Sequence, residues 1–349
     1  MKQTHIYRNL FGSILLWIVV FASVGKGIAQ EASVQRSRPL MGTLVEIIAL
    51  GADHSICDRA VEKAFEEIEA VDAIMSNFRE NSQLSQLNRL AGTSSLVVHP
   101  QLLEVLDSSV LFSHWTRGAF DVTVSPLLNL WGFYRENGQV PSAEELGQTL
   151  SLVNYRNLRL DRKEKKARLQ KPGMAVDLGG VAKGYAVDKA TEALRRNGIL
   201  QGLINAGGDL YALGRPKEED FWLIGLQHPL KNKGMAGFIQ VEDQAVATSG
   251  NYEKYFLIQG KKYTHIIDPR TGWPVKGMAS VTVLADSVIK ADALATAVFV
   301  MGVKEGLKLL NGLPGVEGVL ITEEEKNGKE EFSPFLSEGL QGKLKFELP

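Results

Sequence analysis

The chain has 349 residues, with 39 Lys plus Arg against 40 Asp plus Glu and a formal net charge of −1. That length buries a sizeable core and suits one large domain or two small ones, while the charge balance excludes the basic surplus of a nucleic-acid binder. A single cysteine, Cys57, excludes an internal disulfide and any cysteine-cluster zinc or iron–sulfur site.

The N-terminus, MKQTHIYRNLFGSILLWIVVFASVGKGIAQ, has the outline of a secretory signal peptide. Lys2 and Arg8 precede an apolar run from Leu10 to Val24, and Gly27 and Ala29 supply the small residues of a cleavage site. An uncleaved N-terminal anchor is the alternative, since the run is only slightly shorter than a spanning helix. Gly25 and Gly27, with no strongly basic stop-transfer segment after them, favour cleavage after Ala29. The expected division is therefore a signal peptide, 1–29, and a mature domain, 30–349. Cleavage removes Lys2, Arg8 and Lys26 and no acid, leaving 36 basic residues against 40 acidic ones. The implied location is the periplasm or the extracytoplasmic side of the membrane. Without a cysteine near Ala29, a lipid anchor of the bacterial lipoprotein type is not expected.

Along the chain, MGTLVEIIAL (41–50) reads as a strand. Asp53 then opens a helix with Ile56, Ala60, Ala64, Ile68, Val71 and Met75 at helical spacing, and Cys57 falls on the same stripe. Residues 77–92 read as a loop with a short helix, and Pro100 starts another helix that runs through Trp115 before Gly118 breaks it. In GAFDVTVSPLLNLWGFY (118–134), alternation of Phe120, Val122 and Val124 predicts a short strand ended by Pro126, then an aromatic cluster. A small helix over 142–151 and strands near 157–160 and 167–171 follow, the last two flanking a charged hairpin tip. A helix through Arg196 stops at Asn197-Gly198. Short strands with intervening turns then run to about residue 268. ASVTVLA (279–285) is a strand, and Asp286-Ser287 caps a helix through Met301. Gly302 separates that helix from a second, and a strand over 316–322 precedes a charged turn and a polar tail. Runs of strands with interspersed helices, without βαβ alternation, predict an α+β fold with antiparallel sheet.

Five stretches are too polar or too glycine-rich for their apolar surroundings. AVDLGGVAKGYAVDKA (175–190) sets Gly179, Gly180 and Gly184 with Lys183 between Asp177 and Asp188, at a helix start whose free N–H groups suit an anion. It matches neither common phosphate-loop pattern, and taken alone it is better read as a tight strand-to-helix turn. NAGGD (205–209) and ATSGNY (247–252) put glycines and polar side chains at strand ends. THIIDPRTGWP (264–274) gathers His265, Asp268, Arg270 and Thr271 in a turn. There His265 is either structural or, oriented by Asp268, a general base. In KADALATAV (290–298), Asp292 and Thr296 stand at i,i+4 on one helical face. Asp, Thr and a nearby carbonyl make an all-oxygen set suited to Mg²⁺. An exposed Asp292, with Thr296 bonded back to a carbonyl, is the competing reading. Glycine turns, a hard cation and Lys183 or Arg270 together suit a pyrophosphate ligand.

PLMGT (39–43), GAFDVTVSPL (118–127), DLGGVAKGYAVD (177–188), NAGGD, ATSGNY, HIIDPRTGWP (265–274) and ADALATAVFVMG (291–302) occur in the order and spacing of the ApbE family. The chain after the signal peptide resembles that family, the FAD:protein FMN transferases. The resemblance implies an ApbE-like α+β fold, related to the T-fold, with antiparallel sheets, packed helices and a flavin cleft between the sheets. It implies Mg²⁺-dependent cleavage of FAD, transfer of FMN to a Thr or Ser hydroxyl of an exported target, and release of AMP. The implied targets are flavoprotein subunits of membrane electron-transport complexes of the quinone-reductase type. By motif, Asp292 and Thr296 resemble Mg²⁺ ligands, joined by a backbone oxygen of Ala182. Met41, Phe78, Ala119, Phe120, Asp121, Asp177, Lys183 and Ile267 resemble FAD-contacting positions, and His265 with Asp292 the catalytic pair. Lys183 stands where some members have Glu. An FAD pyrophosphatase and a non-catalytic flavin-binding protein are the alternatives that the motifs leave open.

Overall fold

The computed structural model describes residues 5–8, 32–135, 137–216, 221–230, 234–344 and 346. The segment read as a signal peptide, including the cleavage site at Ala29, lies outside the described residues apart from β1 (His5–Arg8).

β2 (Ala32–Leu40) and β3 (Thr43–Gly51) form a hairpin whose two connecting residues, Met41 (φ 52°) and Gly42 (φ 74°), both take the left-handed conformation of a tight turn. The Asp53 carboxylate accepts from the N–H groups of Ser55 and Ile56 and so starts α1 (His54–Met75). Its buried stripe includes Cys57, Ala60, Ala64, Ile68, Val71 and Met75 as expected, whereas Ile56 faces outward. Next come α2 (Gln83–Arg89), β4 (Leu96–Val97) and α3 (Pro100–Trp115).

The strand expected at Phe120–Val124 is instead a 3₁₀ turn over Val122–Val124 leading into α4 (Ser125–Leu130). The Asp121 carboxylate caps that turn through the N–H and hydroxyl of Thr123. Pro126 then sits in the first turn of a helix, where its missing N–H costs nothing. After α5 (Ala143–Leu150), with its Ser142/Glu145 capping box, come β5 (Leu158–Asp161), β6 (Lys166–Leu169) and α6 (Ala182–Arg196).

Seven strands follow: β7 (Gln201–Ala206), β8 (Asp209–Leu213), β9 (Trp222–Gln227), β10 (Met235–Val241), β11 (Gln244–Gly250), β12 (Lys254–Ile258) and β13 (Lys261–Thr264). The chain ends with β14 (Met278–Ala285), α7 (Val288–Gly312), β15 (Glu317–Lys326) and β16 (Lys329–Leu336). Gly302, at φ 75°, breaks α7 where the sequence placed a division. The expected polar tail is in part strand β16, paired with β15 along its length.

The centre is an antiparallel eight-stranded sheet in the order β16-β15-β14-β11-β8-β7-β3-β2. α1, α6 and α7 cover one face, and the β9–β10 hairpin packs Trp222, Ile224 and Ile239 on the other. β14, covered on both faces, is buried at every residue, which explains its unbroken apolar run. A third cluster of Leu127, Trp131, Leu146, Tyr263 and Ile267 joins α4 and α5 to the smaller β1-β12-β13 sheet. The α+β fold expected from the sequence is the one adopted.

Candidate functional site

Between the α6–α7 end of the main sheet and the smaller β12–β13 unit lies a cleft of about 260 Å³. Into it converge the glycine turn, the end of β11, the 119–134 segment and the 265–269 loop.

The helix pair α6–α7 places the polar groups. A Cβ on Gly184 would stand 2.5 Å from the carbonyl oxygen of Val288, so the two helices touch at backbone distance only because this residue has no side chain. That approach brings the Gly184 N–H to 3.1 Å from Asp292 Oδ2. Asp292 is 4% exposed, and burial raises its carboxyl's proton affinity against the opposing pull of Lys183 and the Gly184 N–H. One turn further, Thr296 Oγ1 lies 3.1 Å from Ser249 Oγ of β11 and 3.1 Å from where a Cβ on Gly180 would be. The glycine turn and the acid-bearing helix, more than a hundred residues apart in sequence, thus meet in one cleft.

Asp177 braces the turn from below. It accepts from Asn77 Nδ2 (2.8 Å), the Tyr134 hydroxyl (2.6 Å) and the Gly179 N–H (2.7 Å). Asn88 holds both the N–H and C=O of Val176 and reaches Asn77, tying α2 to the same strut. Burial and the Asp177 charge keep the Tyr134 phenol protonated. Phe78, 79% exposed, stands edge-on to Tyr134 at the cleft mouth.

The remaining expected residues divide. Ala119, Phe120, Asp121 and Ile267 line the cleft. Asp121 is also a structural acid, its second oxygen accepting the Tyr155 N–H, and burial raises its proton affinity. Met41 does not line the cleft; its turn packs on the helix-side core. Lys183 faces the cleft, but its ammonium is ion-paired with the buried Asp209, so NAGGD clasps the glycine turn. Ala182 begins α6 and is buried beside these groups.

His265 lines the cleft with its Nδ1 3.1 Å from the carbonyl oxygen of Lys254. Asp268 does not orient it, as the sequence suggested. That carboxylate instead forms a two-pronged pair with Arg270 at 2.9 Å per contact and caps its own turn. Burial, then the Lys254 and Lys183 cations, push the His265 imidazole down to about 4. A neutral ring donating Nδ1–H to Lys254 keeps a lone pair on Nε2.

Six charged side chains among the described residues line the cleft: Asp121, Asp177, Glu253 and Asp292 against Lys183 and Lys254. Among the described residues, no three His, Cys, Asp or Glu side chains cluster as a metal site. A metal here would rest on one carboxylate with hydroxyl and carbonyl oxygens. Asp292 beside Thr296 fits a hard cation, because a dication would offset the cost of a buried carboxylate. Sequence reading missed Asn77, Asn88 and Lys254. The two asparagines sat in a stretch with the composition of a solvated loop.

The ApbE family model matches residues 41–320. The chain is 34% identical over 339 residues to the FAD:protein FMN transferase of Vibrio cholerae, across 92% of this chain and 99% of that relative. It is 30% identical over 300 residues to the FAD:protein FMN transferase of Escherichia coli, across 84% and 85% of the two chains. Among solved structures, the flavin transferase ApbE from Vibrio cholerae is similar with a TM-score of 0.79 at 30% identity, across 89% of this chain and 99% of that one. The ApbE protein from Thermotoga maritima gives 0.79 at 32% identity, across 89% and 98%. The match runs from the β2–β3 turn into β15 and takes in every group that converges on the cleft, and the chain belongs to the ApbE family.

Proposed function

We propose that this chain is an exported, Mg²⁺-dependent FAD:protein FMN transferase. The observation that carries the reading is the meeting of Asp292 and Thr296 with the glycine turn at 179–184 in one cleft. Relatives named for this activity, alike over most of their length, support it.

In this reading FAD lies along the cleft with its diphosphate on the glycine turn. Asp292, Thr296 and the Ala182 carbonyl would hold the cation, which when bound neutralises phosphate oxygens and the charge developing on the departing AMP. The rest is done by the protein's own groups. The Asp177–Tyr134–Asn77 strut fixes the glycine turn, and the apolar wall of Phe120 and Ile267 excludes water. The hydroxyl oxygen of a target Thr or Ser attacks the FMN phosphorus, the P–O bond to AMP breaks, and the hydroxyl proton passes to a base. The candidate bases are His265, whose neutral ring keeps a lone pair on Nε2, and Asp292 where it is not committed to the cation. The targets are exported flavoprotein subunits of membrane electron-transport complexes of the quinone-reductase type, consistent with the signal-peptide reading of 1–29.

The test is incubation with FAD and Mg²⁺, with and without a Thr-bearing target, read by in-gel flavin fluorescence and by AMP release. Covalent flavin on the target supports the transferase. FMN and AMP released equally without target would make the protein an FAD pyrophosphatase, and uncleaved FAD a binding protein.

A further inference from the structure

The helix that carries Asp292 and Thr296 has no cap of its own. Ser287 occupies the N-cap position, but its side chain makes no capping bond and turns to Asp286. The first free N–H groups, those of Val288 and Ile289, are taken by Asp188 from the middle of α6, Oδ1 at 2.8 Å and Oδ2 at 2.9 Å. One carboxylate therefore spends both oxygens on the start of a helix a hundred residues away. A charge at that end also complements the helix dipole. Burial pushes the Asp188 carboxyl up to about 6, so the group stays in this position at a cost.

Three contacts join the first half of α6 to the first turns of α7: Asp188 on Val288 and Ile289, Gly184 on the Val288 carbonyl, and the Gly184 N–H on Asp292. Asp292 lies about 6 Å along the axis from Val288, and Thr296 about 12 Å. A slide or rotation of α7 at its start moves both oxygens relative to the glycine turn.

We propose that Asp188 is a positioning residue whose two-pronged hold on α7 sets where Asp292 and Thr296 stand relative to the turn at 179–184. The proposal rests on the reading that those two side chains hold a divalent cation. Replacing a group hydrogen-bonded directly to a metal ligand lowers metal affinity about tenfold to a hundredfold, and Asp188, which acts one step further out through the start of α7, is set at the low end of that range.

The test compares wild type, Asp188→Ala, Asp188→Asn and Asp292→Ala. Mn²⁺ binding to the protein alone is followed by EPR of the free ion, FAD binding in EDTA by flavin fluorescence, and folding by thermal melting. Asp188→Ala is expected to weaken Mn²⁺ binding about tenfold while FAD binding in EDTA changes less than about twofold. Asp188→Asn, which keeps one acceptor oxygen, is expected to fall between, and it carries the test if the alanine variant does not fold. Asp188 variants that melt earlier but bind Mn²⁺ like wild type would reduce the residue to a stabilising cap and overturn the proposal. If Asp292→Ala itself binds Mn²⁺ normally, the metal reading fails and this proposal with it. Loss in Asp292→Ala with none in the Asp188 variants overturns this proposal alone.

Discussion

Gly184→Ala probes the helix contact on which the cleft depends. A helical glycine replaced by alanine gains about 1 kcal/mol in backbone terms. Here the new methyl would stand 2.5 Å from the Val288 carbonyl oxygen and 2.8 Å from the Ile289 nitrogen, both backbone atoms that no rotamer change removes. Contact between such atoms is comfortable at about 3.5 Å, so the helices must part by roughly 1 Å. Overpacking of this kind costs about 1–3 kcal/mol. The net change in stability is then about 0–2 kcal/mol of destabilisation, a fall in Tm of only a few degrees. Function should suffer more, because a displacement of about 1 Å at a reacting centre can cost on the order of a hundredfold. Gly147→Ala is the matched control. It lies in α5 with nothing within 4 Å of its Cβ position, and should gain about 1 kcal/mol with unchanged turnover. Melting curves and initial rates of target flavinylation measure both effects. Gly184→Ala turning over within threefold of wild type would refute the claim that the α6–α7 distance sets the site.

Asp292→Ala is expected to abolish flavinylation while leaving FAD affinity within a few-fold; unchanged flavinylation would remove Asp292 from the chemistry. Asp209→Asn strands Lys183, whose side chain is 28% exposed beside an acid that is 2% exposed, and should cost about 3 kcal/mol in urea unfolding. A loss under about 0.5 kcal/mol would show that the pair is dispensable. The His265 imidazole, held down to about 4, should remain neutral in an NMR titration until well below pH 6. Because the unfolded ring takes its proton near 6.5, the His265 contribution to stability is complete above that pH and is lost as pH falls towards 4. Asp188 has the opposite sign. Its native carboxyl holds a proton up to about 6 while the unfolded one releases it near 3.8, so that contribution is lost as pH rises through 6. His265→Asn should therefore make the protein less acid-sensitive between pH 6.5 and 4, whereas Asp188→Asn should make it more acid-sensitive between about 6 and 3.8; the reverse order in pH-dependent urea melts contradicts both assignments.

What the sequence made legible was whatever local periodicity or a motif encodes. The α1 stripe, the buried run of β14 and the Asp292/Thr296 pair on one helical face were all readable because their spacing is short. Edge strands were not. β2 has Val34 as its one buried residue, and β16 has only Phe332, so neither shows an apolar alternation strong enough to see. At 120–124 the pattern was real, but Asp121 captured the Thr123 N–H and hydroxyl and turned a β-like run into a 3₁₀ turn. Partner choice was the other blind spot. Asp268 stood three residues from His265 yet pairs with Arg270, while Asp188 caps a helix whose start lies a hundred residues later. Such bonds depend on which elements the fold brings together, and spacing along the chain carries no record of them.

The charge pattern of the cleft gives a reason for its design. A pyrophosphate ligand is strongly anionic, yet among the described residues the lining acids outnumber the lysines four to two. Lys183 is also committed to Asp209, and Arg270 to Asp268. Lys254 is then the lining lysine left to face the phosphates, and Asp292 stands against them within a site where screening is weak. A dication held between carboxylate and phosphate would reverse the sign of that interaction. Asp292 alone would change from repelling the diphosphate to favouring it, because Asp121 and Asp177 are occupied by the hydrogen bonds that brace their own turns. On the proposed reading Asp292 therefore serves the cation and turnover more than the affinity for FAD, and the backbone-close packing of α6 against α7 is what keeps it beside the glycine turn.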